Sequence, residues 1–198
     1  MDRSAFLAGL DSLSAEPVTL NDGAPAPPTP VGGLLAGTRI KTLRGHVRIE
    51  DLRRGDKILT RDNGYQVLRS CLRIRPETAQ GHATPVRLRK GTLGRGAPDR
   101  ALRTAPAQRL LIGGPGQGQP ELLVEASRLC TLPGVARLPG PGVGVIQLLF
   151  DRHELIMANG AWTESRPPSG SSARGLARPV IRDSDLRALC LGKRSGAG

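Results

Sequence analysis

The sequence is poor in the residues on which several protein classes depend. Its 198 residues include only three cysteines, three histidines and four aromatic residues. Cys71, Cys130 and Cys190 are odd in number and widely spaced, which argues against a disulfide framework and against a zinc site. No apolar run approaches the roughly 20 residues of a membrane-spanning helix, so an integral helical membrane protein is excluded. His46 and His82 have no cysteine or histidine at ligand spacing, so we expect no metal and no other cofactor.

An export signal of the cleaved, secretory kind is also missing from the sequence. The apolar stretch at residues 5–10 is too short for the core of a signal peptide, and it runs directly into Asp11. We therefore expect a cytoplasmic protein by default, with export by a route that reads the C-terminus as the alternative.

Positive charge, in contrast, is abundant. The chain has 29 basic and 17 acidic residues, a net charge of +12, and only four of the basic residues are lysine. Several arginines alternate along neighbouring predicted strands, which predicts a basic sheet face made of Arg69, Arg73, Arg75, Arg87 and Arg89. Such a face would suit phosphate, nucleic acid or anionic lipid. The scarcity of aromatic residues argues against specific nucleic-acid binding, and a merely solvated face is the alternative.

The 26 glycines and 17 prolines are concentrated at turns and at the two ends of the chain. Residues 1–32 predict an N-terminal extension, in which a short amphipathic helix is followed by a proline-rich linker. Residues 166–198 predict a C-terminal tail, in which a linker is followed by a short helix that begins at Asp183 or Ser184. We expect both extensions to be flexible and the folded domain to span residues 33–165.

The residues between these ends predict an all-β domain. One long strand is expected from Tyr65 to Arg75, and Asn63-Gly64 and Asn159-Gly160 predict tight hairpin turns. Further predicted elements are strands at 109–112, 121–124, 143–150, 154–158 and 161–165, and a helical turn at 125–130. Many short strands separated by glycine-rich turns are typical of a sandwich or a closed, barrel-like body.

Three stretches carry information beyond composition. The first is LLAGTRIKT at 34–42, which continues through Gly45, Val47, Glu50-Asp51-Leu52, Gly55-Asp56 and Leu59-Thr60 to Asp62. The second is PVRLRKGTLG at 85–94, followed by Asp99-Arg100-Ala101-Leu102, Pro106 and Arg109-Leu110-Leu111. The third is LFDRHELIMANGAWTES at 149–165.

In this order and spacing, the set resembles Hint domains, the self-processing module shared by hedgehog proteins and inteins, and in particular a bacterial stand-alone subfamily. The resemblance covers about residues 33–165 and implies a pseudo-symmetric, all-β horseshoe. It also implies acyl transfer on the protein's own backbone. In the family, a cysteine or serine at the first position attacks the preceding carbonyl, and a Thr/Ser-x-x-His block protonates the scissile amide. A second nucleophile then releases the intermediate.

The chain departs from that pattern at the positions that carry the chemistry. Gly33 occupies the nucleophile position, Gln108 occupies the position of the block histidine, and the terminal His-Asn pair of inteins is missing. Glutamine donates a hydrogen bond but does not transfer a proton near neutral pH. Thr38 is the nearest hydroxyl, and it would need an adjacent base to replace the nucleophile. The resemblance implies that His153 is an assisting acid or base, and a turn histidine that bonds a backbone carbonyl is the alternative.

Three functions are therefore open. We expect a domain derived from an autoprocessing module, catalytically degenerate, that acts as a structural or binding module, with a partner that the sequence does not identify. The first alternative is residual self-cleavage before Gly33. The second is a basic module that binds nucleic acid or another polyanion.

Overall fold

The computed structural model describes residues 31–75, 84–114, 119–139, 143–168 and 178–180. Within these ranges the chain is almost entirely β, with short 3-10 helices at Ile49–Asp51 and Arg128–Thr131. None of the helices in the described ranges is long and apolar enough to span a membrane. The expected helices of the two extensions lie outside the described residues, as do His82 and Cys190.

The described strands, in chain order, are β1 (Arg39–Thr42), β2 (Gly45–Arg48), β3 (Lys57–Leu59), β4 (Tyr65–Val67), β5 (Ser70–Ile74), β6 (Val86–Leu88), β7 (Leu102–Thr104), β8 (Arg109–Gly114), β9 (Gln119–Glu125), β10 (Val135–Arg137), β11 (Val145–Leu149), β12 (Leu155–Ala158) and β13 (Ala161–Glu164).

An eight-stranded antiparallel sheet forms most of the body. Its order is β4-β3-β1-β12-β13-β8-β9, and β2 pairs with β1 beside this row. A three-stranded sheet has the order β10-β6-β7, and a two-stranded sheet joins β11 to β5. Because β1 lies next to β12, the opening residues of the domain meet its closing hairpin in space although more than 100 residues separate them in sequence.

The core follows from the two-residue period of these short strands. Ile40, Ile58, Leu110 and Ile156 are almost completely buried, and they belong to one apolar cluster. Burying each such side chain contributes roughly 1.5–3 kcal/mol to folding. A smaller cluster of Leu111, Leu123 and Leu155 lies apart from the main one, with Trp162 and Val180 packed against it.

The expected hairpin at Asn159-Gly160 is present, with φ angles of 46° and 74°. The Asn159 side chain bonds two other segments of the chain: its Oδ1 accepts from the Arg39 N–H at 2.8 Å, and its Nδ2 donates to the Ala101 carbonyl at 2.9 Å. The turn therefore ties β12 and β13 to β1 and to the residues just before β7.

The expected strand from Tyr65 to Arg75 is two strands. β4 pairs with β3, and β5 pairs with β11 in a different sheet. Between them the buried Leu68 still bonds Asp56, while the Arg69 N–H already donates to the Leu149 carbonyl at 2.9 Å. Alternation persists through the crossing, which is why the sequence pattern shows one strand. β7 and β10, each three residues long, were not expected from the sequence.

The turn at Asn63-Gly64 belongs to a longer connection than a tight hairpin. Leu59 pairs with Tyr65, which leaves five residues between β3 and β4. Thr60 pairs with Ile156 of β12, and its hydroxyl donates to the Gly64 carbonyl at 2.8 Å. The long-range pairing of Thr60 therefore lengthens the turn.

Candidate functional site

The first described residues of the domain are held between two strands. The Leu34 N–H donates to the Ile146 carbonyl at 3.0 Å, and the Ile146 N–H returns a bond to Leu34 at 2.8 Å. From the other side, the Ala105 N–H donates to the Gly33 carbonyl at 2.8 Å. These bonds fix the Gly33–Leu34 peptide in the groove between β11 and the end of β7, and the Gly32–Gly33 peptide directly precedes it.

Gly33, at the expected nucleophile position, has no room for a side chain. Its φ angle is +152°, and a Cβ atom built on it would lie 2.8 Å from both Cβ and Cγ2 of Val145. Real Cβ contacts are essentially never below 3.0 Å. Val145 is β-branched and its clashing atoms lie next to the backbone, so relief of the contact would require β11 to move.

Gln108, at the expected histidine position, is buried and lies beside the same peptide. Its Nε2 donates to Thr163 Oγ1 at 2.7 Å and to the Glu164 carbonyl at 2.9 Å. A Cβ atom on Gly32 would lie 3.3 Å from Gln108 Oε1, which places the amide next to the opening segment. Both N–H groups of the amide donate to acceptors on β13, so the side chain links the start of β8 to β13.

Gln147 was not expected from the sequence, and it makes the most direct side-chain contact with this peptide. Its Nε2 donates to the Gly32 carbonyl oxygen at 2.6 Å, and its Oε1 accepts from Arg166 Nη1 at 3.2 Å. A donor in this position would stabilise negative charge on that oxygen if the carbonyl were attacked. The only sequence signal was one polar residue within the apolar strand VIQLL.

A small cavity of about 60 Å³ opens beside the Gly32 carbonyl. Its lining residues are Gly32, Leu34, Gln108, Ile146, Gln147, Leu148, Ile156, Glu164, Ser165 and Arg166. This volume suits a few water molecules. Ligand pockets for drug-sized molecules are several times larger. The arrangement therefore suits chemistry on the chain itself better than the binding of a separate small substrate.

His153 lies in a row of charged groups next to the cavity. Its side chain is completely buried, and its Nε2 lies 3.3 Å from Glu164 Oε2. The same Glu164 oxygen accepts from Arg109 Nη1 at 3.3 Å. Glu164 lines the cavity and His153 does not, so His153 contacts the wall of the cavity at this carboxylate. A part in proton transfer stays a prediction for this residue.

Glu154 and Ser165, two further buried polar residues of the closing segment, were not among the candidate site residues. The Glu154 N–H donates to Ser165 Oγ at 2.9 Å, and the Ser165 N–H donates to the Glu154 carbonyl at 2.8 Å. The Glu154 carboxylate accepts from Asn63 Nδ2 at 2.9 and 3.0 Å. Ser165 lines the cavity, whereas Glu154 joins the β3–β4 connection to β12.

Thr38 lies in the turn before β1 and does not line the cavity. Its buried hydroxyl donates to the Leu35 carbonyl at 2.7 Å. Thr38 therefore stabilises the turn, and a role as replacement nucleophile has no support in its surroundings.

The arginines of the expected basic face lie on two groups of paired strands. β5, paired with β11, carries Arg73, and β6, between β10 and β7, carries Arg87; Leu34 bridges β11 and β7. Arg69 forms a bidentate pair with Asp151 at 2.7 and 2.9 Å, which holds the pKa of Asp151 below its usual value. Arg73 Nη2 donates to the Glu50 carbonyl at 2.6 Å. Arg75 and Arg89 lie just outside β5 and β6, and anion binding by the five residues stays a prediction.

The described cysteines are not part of the site. Cys71 is half-buried, and burial raises the pKa of its thiol, which disfavours the reactive thiolate. The Cys130 thiol lies 3.8 Å from the Ala126 carbonyl. Among the residues that the structure describes, no three side chains of the metal-binding types cluster closely enough to hold an ion.

We expect Gln108→Leu to lower the free energy of unfolding by about 1–3 kcal/mol, because buried acceptors on β13 lose their donor. Chemical denaturation of the full chain measures this change. Gln66→Leu on β4, where the side chain is half-exposed, is the control and should change stability by no more than about 0.5 kcal/mol. Equal effects of the two substitutions would contradict the bridging role.

Known proteins of one domain family are similar to this chain. The family model described as "Hint domain" matches residues 33–170. No curated protein matches the chain. Similar solved structures include the crystal structure of the gp41-1 intein, at 12% identity and a TM-score of 0.43, covering 67% of this chain and 98% of that one. The solution structure of a bacterial intein-like domain from Clostridium thermocellum has 14% identity and a TM-score of 0.42, covering 68% and 98%. Because the family model matches well over half of its residues, the chain belongs to the Hint domain family.

Proposed function

We propose that this Hint domain is catalytically degenerate and acts as a structural module that keeps the residues before Gly33 attached to its body. The observation that carries the proposal is at position 33. The residue there has no nucleophile, and a Cβ atom would lie 2.8 Å from two atoms of Val145. Covalent catalysis by acyl transfer requires a side-chain nucleophile in contact with the carbonyl that it attacks.

The Thr/Ser-x-x-His block supports the same conclusion. Its last position is Gln108, and the Thr/Ser position three residues earlier is Ala105, which has no hydroxyl. Gln108 is committed to acceptors on β13 at 2.7 and 2.9 Å. Neither residue transfers a proton to the scissile amide, so the general acid of the family chemistry is missing.

The contacts that would hold the scissile peptide and the residues directly after it are nevertheless in place. Gln147 holds the Gly32 carbonyl, Ala105 holds the Gly33 carbonyl, and Leu34 is paired with Ile146. A site that retains its binding contacts without its reactive groups would hold a segment and not cut it. Holding the residues before Gly33 in place is the structural role that we propose.

Residual self-cleavage is the second candidate, and one observation favours it. The 2.6 Å bond from Gln147 to the Gly32 carbonyl would stabilise an oxyanion if water from the adjoining cavity attacked the carbonyl. This route would release a fragment that begins at Gly33.

The proposal is tested by restoring the missing groups in the full chain. The set comprises the wild type, Gly33→Cys with Ala105→Thr and Gln108→His, and the same three changes with Val145→Gly, which removes both clashing atoms. After incubation with a thiol, mass spectrometry should show no cleavage of the wild type and a fragment beginning at residue 33 from the fourfold variant. Circular dichroism shows whether each variant is folded.

Cleavage of the wild type at Gly33 would overturn the proposal in favour of residual activity. A folded fourfold variant that stays intact would also count against it, because the retained contacts would then not present the peptide for attack.

A further inference from the structure

A short segment from near the C-terminus extends the edge of the large sheet. The Leu123 N–H donates to the Pro179 carbonyl at 2.9 Å, and Leu123 forms a parallel bridge with Val180. β9 ends the row of described strands, so residues 178–180 lie along the edge of this sheet. Backbone pairing at an exposed edge is a recurrent way of binding an extended peptide.

Arg178 anchors this segment through two carboxylates. Its Nη2 and Nη1 donate to the two oxygens of Asp62 at 2.7 and 3.1 Å, and its Nε donates to Glu121 Oε2 at 2.6 Å. Asp62 belongs to the β3–β4 connection and Glu121 to β9, so the fork of the guanidinium joins two distant parts of the sheet. Bidentate pairs of this kind add geometric specificity to charge attraction.

The two carboxylates that bind Arg178 belong to Asp62 and Glu121, and Glu121 has further partners in the folded domain. Glu121 also accepts from Arg61, whose guanidinium lies over the Trp162 ring at 5.5 Å from its centroid. The hydrogen bond from Arg61 and then that from Arg178 hold the pKa of Glu121 below its usual value. The carboxylate is therefore charged at neutral pH.

Val180 supplies the apolar half of the contact. Alternate residues of a strand share a face, so Arg178 and Val180 point to the same side and the exposed Pro179 points to the other. Val180 packs against the cluster of Leu111, Leu123 and Leu155 and against Trp162. The edge thus recognises an arginine and, two residues later, an aliphatic side chain.

We propose that the β9 edge, with Asp62, Glu121 and the apolar cluster under Val180, is a recognition site for extended peptides of a partner protein with an arginine followed two residues later by an aliphatic residue. The chain's own Arg178–Val180 occupies the site as a tethered competitor. Because these three residues belong to the same chain, they compete at a high local concentration, and a separate peptide binds more weakly while they are in place. A partner segment of the same chemistry displaces them.

The experiment measures binding of a labelled peptide with the sequence of residues 175–183, GLARPVIRD, to the full chain by fluorescence anisotropy. The variant Arg178→Ala with Val180→Asp disables the tethered segment and should bind the peptide at least about tenfold more tightly than the wild type, since an intramolecular competitor is removed. Adding Asp62→Asn and Glu121→Gln to this variant should abolish binding. Arg137→Ala, on the exposed part of β10, is the matched control and should bind as the wild type does.

Three outcomes would overturn the proposal. One is that the peptide binds equally to the wild type and to the Arg178→Ala, Val180→Asp variant, called the vacated variant here. Another is that the peptide binds to neither while circular dichroism shows both proteins folded. The third is a dimer of the wild type that grows with concentration and is lost in the vacated variant, because the occupant would then be the tail of a second copy. A peptide with alanine in place of its first arginine controls for nonspecific attraction.

Discussion

Gly33→Ala is expected to lower the free energy of unfolding by about 2–4 kcal/mol, through backbone strain at positive φ and overpacking against a core residue. The new Cβ would lie 2.8 Å from Val145, whose clashing atoms are attached directly to β11. The strand cannot move away freely, because it is also paired with Leu34 on one side and with β5 on the other. Chemical denaturation of the full chain measures the change.

Gly45→Ala separates the two causes of this loss. Gly45 has a φ angle of +100° and no atom within 4 Å of a built Cβ, so alanine there is strained but meets nothing. We expect a cost of about 1–2 kcal/mol at this position from the left-handed backbone alone. If Gly33→Ala were no more costly than Gly45→Ala, the contact with Val145 would not limit position 33.

Asn159→Ala should lower the free energy of unfolding by about 2–4 kcal/mol, since it leaves two part-buried backbone groups without their partners and puts alanine at positive φ. The Arg39 N–H would lose its acceptor, and the Ala101 carbonyl would lose its donor. Because the turn at Asn159 joins β12 to β13, the loss should loosen the strand that carries Thr163 and Glu164 to the site.

Asn159→Gly is the matched control for that substitution. Glycine accepts the φ angle of 46° at no steric cost but removes the same two hydrogen bonds. We expect it to be less destabilising than alanine by about 1 kcal/mol, the cost of a left-handed residue with a Cβ. Thermal and chemical unfolding of both variants give this difference, and a glycine variant less stable than the alanine variant would contradict the account.

Local patterns in the sequence predicted much of the fold. The hairpin at Asn159-Gly160 was expected because asparagine and glycine tolerate positive φ, and the structure confirms it. β8, β9, β11, β12 and β13 were expected from alternation, and they lie at the predicted places with shifts of a few residues. The all-β class and the Hint family are confirmed as well.

Long-range pairing is what the local patterns could not reveal. At Leu68 the pairing partner of the chain changes from β3 to β11, while the alternation of apolar and polar residues continues unbroken. One expected strand is therefore two strands in the structure. Gln147 lies 115 residues after the carbonyl that it holds, and nothing in the sequence links the two. The same applies to Arg178, whose partner Asp62 is 116 residues away.

The candidate site was predicted in part, through the positions that a family resemblance selects. The structure brings Gln108 and the closing residues around one small cavity, which is also lined by Gly32 and Leu34, the neighbours of Gly33. It places Thr38 away from that cavity, and it places His153 behind Glu164. What each of these side chains can do chemically depends on the partners with which it forms hydrogen bonds. The sequence does not reveal those partners, whereas the structure does.

The central claim is that the peptide bond between Gly32 and Gly33 is held and not cut. The intact mass of the freshly purified wild-type chain, followed over several days with and without hydroxylamine and a thiol, tests it most directly. The account predicts a single species at the full-length mass of 20.9 kDa under every condition. A fragment that begins at Gly33 and accumulates with time would contradict it.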